Sequence, residues 1–197
     1  MRSVPAVFRP SSAFLRTGAV AAGVAGLALL AGAPARAAAA ADDSLLSHIP
    51  PAIRGACTPT GKPDLPAAAV AAATCKSAAG FPVLYEQFPD KDAMQKQWEA
   101  DLNPYSFGYD ACNASTPLNG KQSYQVGQKP VGVMSCYKDA QDGSTYVEWI
   151  NNDLSILSLA KTTSGDSSSY TQLLQWWRTA GPLPSDTSAA TSVPAAG

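Results

Sequence analysis

The sequence predicts an α+β domain: an antiparallel sheet of about five strands, two or three helices packed mainly on one of its faces, and two disulfides. Three observations carry this. Residues 131–160 hold three successive runs rich in β-branched, aromatic or aliphatic residues, separated by polar turns, which read as a strand meander. Two stretches place apolar residues at helical spacing behind a capping side chain, one around Trp98 and one around Trp177. All four cysteines (Cys57, Cys75, Cys112 and Cys136) lie beyond an export leader, where an even count reads as two bridges.

The leader is residues 1–37. Arg2, Arg9 and Arg16 give it a positive start, residues 19–31 are an uncharged Ala/Val/Leu/Gly run, and Ala35-Arg36-Ala37 is a small-residue cleavage site, with room for slippage to Ala41. The run is short for a bilayer span, which takes about 20 apolar residues. No Cys follows it for lipid attachment and no Arg-Arg pair precedes it, so a secreted, extracellular protein leaving by the general export route is expected. Removing the leader takes away four of the 14 basic residues and none of the 15 acidic ones, for a net charge of −5. That balance, without a basic stripe, argues against nucleic acid and against an anionic membrane surface once the leader is gone.

The remaining chain suits one domain over residues 44–182. Residues 38–43 read as a disordered start. Ser44 then caps a short helix with Leu45, Leu46 and Ile49, which Pro50-Pro51 breaks. Residues 58–66 are rich in Pro, Gly and Thr and read as a loop. Residues 67–75 fit helix by Ala content and strand by length; a strand is preferred because residues 82–88 offer it a partner. Asp90 caps a helix over residues 91–102, with Met94, Trp98 and Leu102 on one stripe, and Asn103-Pro104 ends it. Residues 113–129 are polar and turn-rich, with one short strand at 123–126. The meander follows, its last hairpin turning at Asn151-Asn152-Asp153, residue types that tolerate positive φ. The last strand is apolar on both faces and so belongs at the centre of the sheet or under cover on both sides. Asp166 or a neighbouring Ser caps the final helix, whose stripe is Tyr170, Leu173, Leu174 and Trp177; Gly181-Pro182 stops it. Residues 183–197 read as a disordered tail.

Residues 44–104 and 110–182 share an order of events: two Cys, an aromatic strand with a Glu, then a capped helix with Trp. An old duplication would account for it and would make the bridges local, Cys57–Cys75 and Cys112–Cys136, among the three connectivities four Cys allow. Leu-Leu-Ser-His48-Ile-Pro-Pro-Ala-Ile-Arg-Gly-Ala-Cys57, Ala-Thr-Cys75, Val-Leu-Tyr-Glu-Gln-Phe with Asp-Ala-Met94, Ser-Cys136-Tyr, Glu148-Trp149 and Leu-Gln-Trp-Trp-Arg178 also resemble a domain of actinobacteria. In that family it occurs in secreted or lipid-anchored proteins and as the outer part of membrane serine/threonine kinases. The resemblance covers residues 45–182. It implies an extracytoplasmic sensor-like or binding module and carries no catalytic residues.

Candidate chemistry is sparse. His48, the only His, would have to serve any Ser-His-Asp or Cys-His site, yet it sits beside Pro50 and no G-x-S-x-G occurs; a capping or packing His is the plainer reading. Glu86 and Glu148 lie on strands and would suit glycoside hydrolysis if held about 5–9 Å apart; alternatively they face solvent or hold Arg54 or Arg178. Tyr105, Phe107 and Tyr109, with Trp176, would line a sugar or peptide groove, or else pack the core beneath the Cys112 bridge. Asn113-Ala-Ser115 matches a glycosylation acceptor, of little weight behind a bacterial-type leader. Asp139, Asp142 and Gly143 fall short of a calcium loop and read as a hairpin turn. No C-x-x-C occurs and no zinc set is present, so neither metal nor cofactor is expected. The reading is a non-enzymatic secreted module binding an extracellular peptide, glycan or cell-wall fragment. The alternatives are a protein-interaction protein such as a protease inhibitor, presenting residues 58–66 or 113–129 beside a disulfide, and a hydrolase built on Glu86 and Glu148.

Overall fold

The structure, a computed structural model, describes residues 33–61, 65, 68–107, 112, 119–162, 164–181 and 183. Its elements are α1 (Ala33–His48), α2 (Pro51–Arg54), β1 (Cys57–Pro59), β2 (Ala71–Lys76), β3 (Pro82–Gln87), α3 (Lys91–Leu102), β4 (Gly120–Val126), β5 (Lys129–Lys138), β6 (Thr145–Asn151), β7 (Ile156–Lys161) and α4 (Ser167–Ala180). The strands form one antiparallel sheet in the order β1-β2-β3-β7-β6-β5-β4. The sheet has seven strands where about five were expected: the loop predicted at 58–66 begins as β1, the one strand not marked in the sequence, and the short strand at 123–126 is longer, starting at Gly120. β7, placed centrally as expected, links the two halves of the sheet.

Cross-strand register divides the side chains cleanly. One face carries Cys75, Val83, Tyr85, Met134, Cys136, Val147, Trp149, Ile156 and Ala160, all buried with Leu45 and Ile49 of α1 and with Leu173, Leu174 and Trp177 of α4. Ser158 is the cross-strand partner of both Tyr85 and Trp149. Its small side chain lets the two rings meet edge to face over it, centroids 6.1 Å apart. The opposite face carries Phe88, Ile150 and Leu157, which α3 covers with Met94 and Trp98. Helices therefore flank the sheet on both sides rather than mainly on one.

The helix ends follow their chemistry. Asp90 and Asp166 each accept a backbone N–H of their own helix, Ala93 N and Ser169 N, both at 2.8 Å. Arg54 donates from Nε and Nη2 to the carbonyls of Ile49 and Ser47, satisfying the end of α1. The helix expected to begin at Ser44 starts at Ala33, so residues 38–43 are helical rather than a disordered start; a run of alanines has the highest helix propensity available. In the β6–β7 turn, positive φ falls on Ser155, not on Asn151-Asn152-Asp153. Asn151 instead accepts the N–H groups of Asp153 and Leu154, an Asx turn. Leu183, assigned to the disordered tail, is fully buried in the core, and its carbonyl accepts from Asn151; residues 184–197 lie outside the described residues.

Both local bridges are present, Cys57–Cys75 joining β1 to β2 and Cys112–Cys136 tying residue 112 to β5. With sequence separations of 18 and 24, each is worth about 3 kcal/mol through the unfolded chain. The strands matched between the halves, β3 and β6, run parallel on either side of β7, and the helices that close the halves, α3 and α4, lie on opposite faces.

Candidate functional site

The face that α3 half covers holds both carboxylates that the sheet buries among the described residues. Register puts Glu86 opposite Leu157 and Glu148 opposite Leu159, so the two glutamates sit on the same face with β7 between them. Strand spacing sets their Cα atoms about 12 Å apart on the diagonal. They occupy β3 and β6, the two neighbours of the central strand β7. Glu86 is 7% exposed and Glu148 2%. Tyr137, on the neighbouring strand, donates its hydroxyl to Glu148 Oε2 at 2.9 Å, while Glu148 Oε1 has no hydrogen-bond partner among the described residues. From α3, Asp101 joins the group, its Oδ1 accepting from Gln97 at 2.8 Å.

Among the described residues no cation forms an ion pair with these acids. Arg54 is engaged with α1, and the ion pairs among the described residues are Lys129–Asp153 and Lys161–Asp142. Lys121 lies nearby but rests its ammonium 4.4 Å from the Phe107 ring centre and 4.7 Å from that of Trp98. Burial, then the Asp101 carboxylate, pushes Glu86 up to about 7. Burial raises Glu148 well above the carboxylate range, with Asp101 and Glu86 adding to it and Tyr137 and Lys121 opposing. Burial also raises Asp101, against the hydrogen bond from Gln97.

Beside the acids runs a row of rings. Tyr137 and Tyr146 are cross-strand partners, stacked within 4° of parallel with centroids 5.3 Å apart. Tyr105 lies 4.3 Å from Tyr137, and Phe107 meets both edge-on. The turn between β5 and β6 fixes the row. Asp139 accepts from Tyr105 Oη, and Asp142 accepts from Tyr146 Oη, each at 2.8 Å. Gly143, at φ 71°, closes the turn, and Asp139 and Asp142 also accept its backbone N–H groups. Burial disfavours charge on Asp142, but Ser144 N–H, Tyr146 and Lys161 outweigh it and lower its pKa. The carboxylates expected merely to shape a turn thus anchor the tyrosines. Tyr105, Phe107 and Tyr146 are half-buried, while Tyr137 is buried between them.

Of the residues singled out from sequence, Tyr105 and Phe107 meet in this row, against the Tyr137 that bonds Glu148, and Glu86 lies on the same face. Trp176 does not: it packs on the other face against Phe81 and Trp149. Tyr109, Asn113 and Ser115 lie outside the described residues. His48 closes α1, which covers the opposite face; burial and then Arg54 lower its pKa. Tyr137, Tyr146, Asp101, Lys121 and Lys161 were missed. The signal for Tyr137 and Tyr146 is their symmetric placement about the turn; Asp101 could be found only by knowing which way α3 faces. A recess at the open end of the same face, lined by Thr74, Pro82, Leu84, Leu159 and Lys161, has a volume of about 30 Å³, room for little more than water. Among the described residues no group of three His, Cys, Asp or Glu is arranged to hold a metal, and no helix is long and apolar enough to cross a membrane. No protein-family model matches the chain, and no curated protein matches it.

Proposed function

We propose that this is a secreted, non-enzymatic binding module that takes a glycan, or a cell-wall fragment carrying one, on the row Tyr105, Phe107, Tyr137 and Tyr146. The observation that carries the reading is that row: rings held side by side by hydrogen-bonded aspartates, with Asp139, Asp142 and Lys161 along its rim. Sugar rings stack their C–H faces on aromatic planes, and their hydroxyls pair with carboxylates and ammonium groups at the edge. Pre-set rings lose little conformational freedom on binding. The likeness to an actinobacterial extracytoplasmic domain supports the same reading. Glu86 and Glu148 are poor hydrolytic candidates, because the acid–base pair of a glycosidase must touch substrate and water and Glu148 is sealed. Nothing specific favours the inhibitor reading; residues 58 and 59 of one loop considered for it are paired into the sheet.

Isothermal titration with soluble peptidoglycan fragments and N-acetylglucosamine oligomers tests the proposal. Binding is expected for the native protein and a loss of at least ten-fold in affinity for Tyr105→Ala and Tyr146→Ala. Undiminished binding by both variants would refute it.

A further inference from the structure

We propose that Asp101, Glu86 and Glu148 form a proton-held latch that seats the C-terminal turn of α3 on the sheet and opens as they lose their protons. The three acids come from three elements, α3, β3 and β6, and converge under one helix. The titratable and charged groups facing them are Tyr137 on β5, Lys121 on β4, Tyr105 after α3, and, further along the face, Tyr146 on β6 and Lys161 on β7. None of these cations pairs with an acid of the group among the described residues: Lys121 lies on two rings and Lys161 on Asp142. Glu148 is almost wholly buried with one oxygen unpartnered, a position an ionised carboxylate holds only at high cost. Asp101 lies in the last turn of α3, where the helix carbonyls already carry partial negative charge and no basic residue offsets it. The last turn of α4, by contrast, has Arg178.

Protonated, the three carboxyls are neutral and α3 lies flat. As protons leave to solvent, two or three like charges face each other in a poorly solvated gap. The sheet members are fixed by their ladders, so the helix end is what moves. Tyr105 and Phe107 follow α3 directly, so an open latch displaces them from Tyr137. The proposal stands without any ligand and is tested without one.

The test is backbone amide exchange on the mature, disulfide-intact protein at pH 5.5 and 8.5, corrected for the intrinsic chemical rate. Protection over residues 97–105 is expected to fall at least ten-fold at the higher pH, with residues 170–180 of α4 unchanged. Glu86→Gln combined with Glu148→Gln is expected to keep the pH 5.5 protection at pH 8.5, and Asp101→Asn alone to do the same should the double variant not fold. His48→Gln should leave the native response in place. A pH-independent native protein, or Gln and Asn variants that still lose protection, would overturn the latch.

Discussion

The two faces of the sheet are built from the same seven strands and differ in what seals them. One is closed by α1 and α4, is dense in aromatic rings and, among the described residues, buries no ionisable acid or base beyond tyrosine. The other is covered by one helix over part of its width and holds three acids, a tyrosine row and two lysines. A fully covered face can afford only groups that are neutral and packed. A partly covered face can keep charged and half-exposed groups beside buried ones, and perturbed acids gather there. The first face holds the fold together, and the second is where we propose that ligand and proton act.

The widest gap between the faces should appear on truncating their rings. Trp149→Ala removes a fully buried indole between Tyr85, Trp176 and Trp177 and should cost about 3–5 kcal/mol in urea unfolding. Tyr146→Ala, on the half-covered face, should cost about 1 kcal/mol. Comparable losses would erase the distinction. Next come the bridges, whose β2 and β5 cysteines belong to the sealed face. Replacing Cys112 and Cys136 together by Ser should cost about 3 kcal/mol, with the midpoint of unfolding showing it.

The acids should behave in the opposite sense. Glu86 has a folded pKa raised above its unfolded value, so the folded state holds the proton more tightly. Its contribution to stability is fully present below about pH 4.5 and is lost as pH rises through about 7. At 1.36 kcal/mol per unit, the loss is about 3 kcal/mol. Glu86→Gln should therefore stabilise the protein at pH 8 by up to about that amount and change little at pH 4; Glu148→Gln should act in the same direction. Destabilisation at pH 8 would mean that an unseen cation holds the charge. The smallest effect is at the start of α3, where Asp90→Ala should cost about 1 kcal/mol and quicken amide exchange in the first turn alone.

The sealed face was legible in the sequence and the other was not, for a physical reason. Period-two apolar runs and the Tyr170/Leu173/Leu174/Trp177 stripe report burial directly, so the meander, both capped helices, the central β7 and the local bridges could be read from residues alone. β1 could not, because a three-residue edge strand ending in Pro carries no periodic signal. The side of the sheet taken by α3 was also invisible, since an amphipathic stripe says that a helix packs but not on which face. That choice brings Asp101 to Glu86 and Glu148 and sets Tyr105 against Tyr137. Trp176, expected on a flank, went into the core because α4 is covered more widely than its strict stripe requires.

The central claim, that ligand meets only the half-covered face, is tested most directly by the tyrosines, which divide between the faces. Ring signals of selectively labelled tyrosine can be followed by NMR while soluble peptidoglycan fragments are added. The account predicts that Tyr105, Tyr137 and Tyr146 shift with a common saturation curve while Tyr85, Tyr124 and Tyr170 stay still. Movement of the latter three with the former unmoved would contradict it.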